Sequence, residues 1–320
     1  MQLDRTRIAI RERGLLETLD LTLQVTREFA GPIAICALLG IVPLTLINYA
    51  LVGWMVPSEF DETTLGFRYL WNVTALIYLE APLASAFVIA YLGPAVFMEQ
   101  RTIPQVIGDV LRIRPSRPGA DDGSPGLALL LCQGLMRGLF IAWALYLFTD
   151  REQANGFIEG FLMFVILVWA TAMRAFRPYI NEIILLEKNP LRATPDKPIS
   201  ISKRSMHLHG PYSGDLVIRW IGTAVVGLLL FGLAITSAIV IQGTLISDWP
   251  FHIAMQPPDF SWNLDWFKLQ IVYPACLWLV VTILAVARFL SYLDLRIRHE
   301  GWEVELFMRA EALRLATRVE

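Results

Sequence analysis

The residues that could do chemistry in this chain are few, and most are charges set among apolar neighbours. Glu80 stands in the run Leu-Ile-Tyr-Leu-Glu-Ala-Pro (76–82) and Arg137 in Leu-Met-Arg-Gly-Leu (135–139), two opposite charges in otherwise apolar stretches. An unpaired charge at the centre of a bilayer costs at least ~2.5–3.5 kcal/mol, so each demands a partner. A second set, Glu182, Glu187, Lys203, Arg204, Asp294, Arg296, Arg298 and Glu300, falls in two polar segments far apart in the sequence. Such a set can neutralise itself as ion pairs, or offer cations to anionic lipid headgroups at ~1 kcal/mol per basic residue near the surface.

Other chemistry is poorly supplied. His207 and His209 alternate, while His252 and His299 are remote, so the spacing of a metal site is missing. Cys36, Cys132 and Cys276 lie singly inside apolar runs and read as small core residues rather than a disulfide framework. There is no Walker loop, dinucleotide fingerprint, nucleophile elbow or His-Glu-x-x-His sequence. The expectation is a non-enzymatic protein with no catalytic residues, no metal and no cofactor.

The elements that must carry these charges follow from composition. Of 320 residues, 55% are hydrophobic and 18% charged, too apolar for a soluble chain. Crossing the hydrocarbon layer takes ~20 mainly apolar residues in a helix. Six stretches qualify: Ala30 to Val56, Leu70 to Phe97, Gly126 to Phe148, Gly156 to Phe176, Leu216 to Leu245 and Phe267 to Phe289. The expected fold is therefore all-α, a polytopic membrane helix bundle of six transmembrane helices with interfacial amphipathic helices at both ends. It divides into an interfacial segment (1–29), the six-span domain (30–292) and an amphipathic tail (293–320).

Lys and Arg are retained on the cytoplasmic side of a membrane. Of the 27 basic residues, 23 fall in the two ends and the second and fourth connections, 3 in the opposite connections, and Arg137 inside a span. Both termini are thus expected in the cytoplasm of a multi-pass inner (plasma) membrane protein. A net charge of −2 gives no reason to expect nucleic-acid binding. The outer connections carry Glu59, Asp61 and Glu62, then Trp249, Trp262 and Trp266, which suit the headgroup belt.

On the cytoplasmic side, Leu15, Leu16, Leu19 and Leu23 form one stripe of a helix over Leu15 to Phe29 that would lie in the interface before the first span. The second connection allows a short amphipathic stretch around Val106 to Ile113. The fourth allows two helical pieces, Tyr179 to Glu187 and Ile199 to His209, separated by Asn189-Pro190, Pro195 and Pro198. Gly301 is suited to end the helix that leaves the last span.

At ~1.5 Å per residue, Glu80 and Arg137 come within ~5 Å of one depth. They could line an ion or solute path, or form a buried pair that fixes two neighbouring spans. The scarcity of other polar positions in these spans favours packing. For the cytoplasmic set, Glu182 and Glu187 would face Lys203, Arg204, Arg296 and Arg298, either as a cap holding the fourth connection to the tail or as a patch for anionic headgroups. The two roles are compatible.

Three blocks carry a family resemblance. They are Leu-Leu-Glu-Thr-Leu-Asp-Leu-Thr-Leu-Gln-Val-Thr-Arg-Glu-Phe (15–29), Ile-Leu-Leu-Glu-Lys-Asn-Pro (184–190) with Lys-Arg-Ser-Met-His-Leu-His-Gly (203–210), and Tyr-Leu-Asp-Leu-Arg-Ile-Arg-His-Glu-Gly-Trp-Glu-Val-Glu-Leu (292–306). With them the chain resembles bacterial six-span proteins related to the membrane domain of glycerophosphodiester phosphodiesterases. In the fused enzymes hydrolysis belongs to a soluble barrel of ~250 residues, which this chain has no room for. The resemblance implies a membrane domain without that barrel. Its expected partners are membrane lipids and, by analogy, another envelope protein. The alternative is a small transporter or channel with a path near Glu80 and Arg137.

Overall fold

The computed structural model describes residues 12–53, 55, 67–97, 99, 101–111, 138, 156–190, 193, 198–245 and 268–300. The expected third span, Gly126 to Phe148 with Arg137, lies outside them except for Gly138, as do the outer-connection residues Glu59 to Glu62 and Trp249 to Trp266 and the tail beyond Glu300.

The described residues are helical, with no strand among them. In chain order the α-helices are α1 (Leu15–Glu28), α2 (Ala30–Val52), α3 (Phe67–Ala84), α4 (Ala86–Val96), α5 (Ile103–Leu111), α6 (Gly156–Phe176), α7 (Ile180–Glu182), α8 (Ile201–His209), α9 (Ser213–Leu245) and α10 (Tyr273–Glu300). A π-helical turn, Ile183–Glu187, continues α7, and another, Lys268–Val272, leads into α10. Four helices are long and apolar enough to cross a membrane, or five if the bent pair α6 and α7 counts as one span. That pair turns by 63° around Pro178, where proline disfavours the helical conformation of the residue before it.

The broken helix α3–α4 is the axis of the bundle. Two-thirds of its apolar window (67%) is buried, against 6% for the run of α8 and α9. Helix α2 packs along α3 and α4, while α10 packs against α1, α3, α4 and α9, and α9 also meets α6. The core forms two clusters. One collects Ile33, Cys36, Ile89, Leu92, Val106, Ile183, Leu208 and Phe289 at the end carrying α5, α7 and α8. The other collects Val52, Tyr69, Val73, Leu76, Met163 and Trp278 toward the opposite end. Between them α2 crosses α3 at Gly40, where a Cβ would stand 2.4 Å from the Ala84 carbonyl oxygen. Only glycine permits backbones so close.

Pro82 has no N–H to give the preceding turn, and the helix breaks just beyond it at Ser85. Neighbouring side chains cover the carbonyls around this break. Asn181 Nδ2 donates to Pro82 O at 2.6 Å and an Arg174 guanidinium nitrogen to Leu79 O at 3.2 Å. Freed backbone groups in an apolar setting need such donors.

Helix α1 shows an inverted face. Its buried residues are Thr18, Thr22 and Val25, packed toward α10, while Leu16 and Leu23 remain 80% and 56% exposed. Burial of the threonines is tolerable because Thr18 Oγ1 donates to Gly14 O and Thr22 Oγ1 to Thr18 O. Of the leucine stripe, Leu16 and Leu23 face outward, while Leu15 and Leu19 are half-buried and Leu15 packs beside Gly222 of α9.

Candidate functional site

The charged end of the bundle is built where three elements converge. The π-turn supplies Glu187, α8 supplies Arg204, and α10 supplies Tyr292, Arg296 and Glu300. Arg204 Nε lies 2.6 Å from Glu187 Oε2 and an Nη lies 2.9 Å from Oε1, a bidentate fork. The same arginine reaches Glu300. Glu300 also takes Arg296, one helical turn back, at 2.6 Å. Tyr292 donates its hydroxyl to Glu187 at 2.8 Å. Fork geometry of this kind is the strong form of ion pairing, and these side chains are only 11–22% exposed.

A second knot lies beside it. Asp294, 2% exposed, accepts from Arg219 of α9 at 2.9 Å, from Arg298 at 3.0 Å and from the backbone N–H of Arg13 at 2.7 Å. Arg219 also holds Asp215 at 2.9 Å. Both Arg219 and Arg298 donate to the Arg13 carbonyl. The start of α1 is thereby tied to α9 and α10. A third contact sits nearer the axis: fully buried Glu182 accepts Arg288 Nε at 2.9 Å, and Arg288 passes a further hydrogen bond to Ser85 at the α3–α4 break.

Charge effects follow from this packing. Burial would raise the Glu300 carboxyl, but hydrogen bonds from Arg296 and Arg204 more than reverse it, leaving it below its ordinary value. Hydrogen bonding to Glu187 pushes the Arg204 guanidinium up. On α8, which carries Lys203, Arg204, His207 and His209 and precedes the apolar run, burial lowers the His209 imidazole to about 4. Its ring stacks on Tyr179 with centroids 5.6 Å apart, and Nδ1 lies 2.7 Å from Ser205 O, so the neutral Nδ1–H form fits.

The expected set is thus brought together, with different partners in places. Glu187, Arg204, Arg296 and Glu300 interlock. Glu182 takes Arg288 instead of the basic residues of the second polar segment, because it sits more than a turn before Glu187 and meets α10 at an earlier register, further from the charged end. Arg298 turns to Asp294, and Lys203 stays exposed. Arg13, Asp215, Arg219 and Arg288 belong to the network without having been marked by sequence. The spacing of Asp215 and Arg219, four apart, was the one available signal. Deeper in the bundle, Glu80 accepts Asn48 Nδ2 at 2.8 Å across the α2–α3 contact; Arg137 lies outside the described residues.

Between α3, α6, α9 and α10 is a cavity of about 210 Å³. Tyr78, Ser85, Arg174, Arg219, Arg288 and Ser291 supply its polar lining, and Trp220, Val281 and Leu284 its apolar walls. Arg174 lies 4.0 Å over the Tyr78 ring. Among the described residues no cluster of three or more His, Cys, Asp or Glu could hold a metal ion.

Fold and site together define a class: a helical protein with spans long and apolar enough for a membrane, closed at one end by interlocked ion pairs beside an arginine-lined cavity. No family model, curated protein or solved structure matches the chain.

Proposed function

We propose that this chain is a non-enzymatic, six-span component of the bacterial inner membrane that holds a partner protein or lipid at its cytoplasmic face. The excess of Lys and Arg at the charged end supports the orientation, since cations are retained on that side. The observation that carries the role is the state of the charges themselves. Glu187, Glu300, Asp294 and Glu182 are each engaged by an arginine at 2.6–3.0 Å. Groups so neutralised build a rigid platform rather than a reaction centre, where a poised acid or base is needed. The platform locks α1, α8, α9 and α10 together, and the exposed leucines of α1 extend it along the lipid interface.

Purification in mild detergent, with quantification of retained lipids and proteins, tests this reading. The expected result is a stoichiometric lipid or protein that stays bound. Ion or solute flux into proteoliposomes that Glu80→Gln abolishes would overturn it in favour of a transporter. A chain that flows alone, delipidated and folded, would overturn it as well.

A further inference from the structure

We infer that the cavity between α3, α6, α9 and α10 is a binding site for a phosphate group, and that its occupant is the headgroup of an anionic phospholipid with its acyl chains left in the bilayer. This rests on the lipid half of the reading above and gives it a place.

Charge is the first argument. Three arginines, Arg174, Arg219 and Arg288, line the cavity, and no carboxylate does among the described residues. Arg219 is committed to Asp215, Asp294 and the Arg13 carbonyl. Arg288 is not. Its Nε goes to Glu182 and Nη2 to Ser85, and Nη1 makes no hydrogen bond to a described residue. Guanidinium offers five donors in a planar fork suited to phosphate oxygens. Hydroxyls of Tyr78, Ser85 and Ser291 add neutral polar groups on the same walls.

Level is the second. Arg174 stands two residues before the end of α6, Arg219 six residues after the start of α9, and Arg288 near the end of the last expected apolar run. Arg174 and Arg219 thus stand near helix ends on the side of the charged end, where lipid phosphates would lie, and the cavity runs inward from there along α3 to Ser85, Ala81 and Tyr78. Basic pockets between spans on this side of a membrane are sites for anionic headgroups.

Size and surroundings are the third. About 210 Å³ is below the ~300–1,000 Å³ of pockets that enclose whole ligands, so a headgroup fits and a complete lipid does not. Behind the cavity-lining residues of α9, its outer face exposes Ile218, Ile221 and Val225 by more than half. Acyl chains leaving the cavity would meet the apolar wall of Trp220 and Leu284.

The test is reconstitution of the full chain in nanodiscs containing phosphatidylglycerol and phosphatidylethanolamine, followed by native mass spectrometry of the lipid retained in detergent. Wild type is expected to keep one phosphatidylglycerol in preference to phosphatidylethanolamine. Arg174→Gln should cut that retention about five- to tenfold. Ala224→Leu, which fills the cavity and leaves every charge in place, should abolish it. Equal retention of both lipids, or wild-type retention in both variants, would overturn the site. Saturation by inorganic phosphate with no competition from phosphatidylglycerol would overturn the lipid as its source. Loss of this selectivity while a companion protein still co-purifies would remove the site and leave the platform reading standing; failure to hold either would remove both.

Discussion

Two regions of this molecule bury charge in different ways. At the charged end, acids from α7, the π-turn and α10 meet arginines from α8, α9 and α10, so each of these acids is answered by an arginine. At mid-depth, Glu80 is met by an amide, Asn48, where α2 and α3 cross close to Gly40. The first arrangement needs long side chains converging from several elements. The second needs two helices in near contact and can be made anywhere along a span. Ion pairing thus fastens elements that are distant in sequence, while hydrogen bonding sets the register of neighbours.

The largest effect should come from breaking one half of a buried pair. Arg288→Leu leaves Glu182, fully buried, without its cation. A loss of about 3–5 kcal/mol is expected, discounted toward the lower figure because Arg288 is itself 23% exposed. Thermal unfolding in detergent reads the loss, and the double variant with Glu182→Leu should recover most of it. Failure to recover would mean that Arg288 acts through something other than the pair.

Acid should weaken the charged end before the middle. The His209 ring has its folded value lowered to about 4 from 6.5. The unfolded chain therefore takes a proton first as pH falls. His209 contributes full stability above pH ~6.5 and loses it progressively between 6.5 and about 4, on the order of 3 kcal/mol in all. Glu300, held low by its arginines, loses its contribution in the same direction at still lower pH. His209→Gln should flatten the pH 4–6.5 part of a melting-temperature profile; an unchanged slope would rule His209 out as its source.

Gly40→Ala addresses the middle. Its new methyl group meets backbone rather than a movable side chain, so α2 and α3 must part, at about 1–3 kcal/mol. A melting temperature equal to wild type would show that the crossing is loose. Smallest of all, Glu80→Gln keeps an oxygen for Asn48 and should change stability by less than ~1 kcal/mol, whereas Glu80→Leu strands the amide and costs ~1–3 kcal/mol. A large loss in Glu80→Gln would mean that the charge itself matters at mid-depth, erasing the contrast between the two regions.

Much of the fold was legible because hydropathy reports long helices directly. Helices α2, α6, α9 and α10 occupy expected apolar runs, and α1, α5 and α8 fall on the short amphipathic stretches. The gathering of Glu187, Arg204, Arg296 and Glu300 follows from placing two polar segments at one end of a bundle. Partner choice was not legible. Whether Glu182 meets Arg288 or Arg296 depends on rotation and register between helices, which no local spacing encodes. Arg13 enters through its backbone, Asn48 through a crossing of α2 and α3, and Gly40 through its nearness to Ala84; none leaves a mark in composition or periodicity. The left-handed turn at Lys188 (φ 52°) replaces the glycine that normally advertises such a stop.

The central claim is that the interlocked charged end faces the cytoplasm. Lys203, exposed on α8, offers the most direct test. With Cys36, Cys132 and Cys276 replaced by Ala, Lys203→Cys should react with a membrane-impermeant maleimide in inside-out vesicles and stay unlabelled in intact spheroplasts. Labelling in spheroplasts would contradict the orientation, and with it the proposed face for lipid or partner.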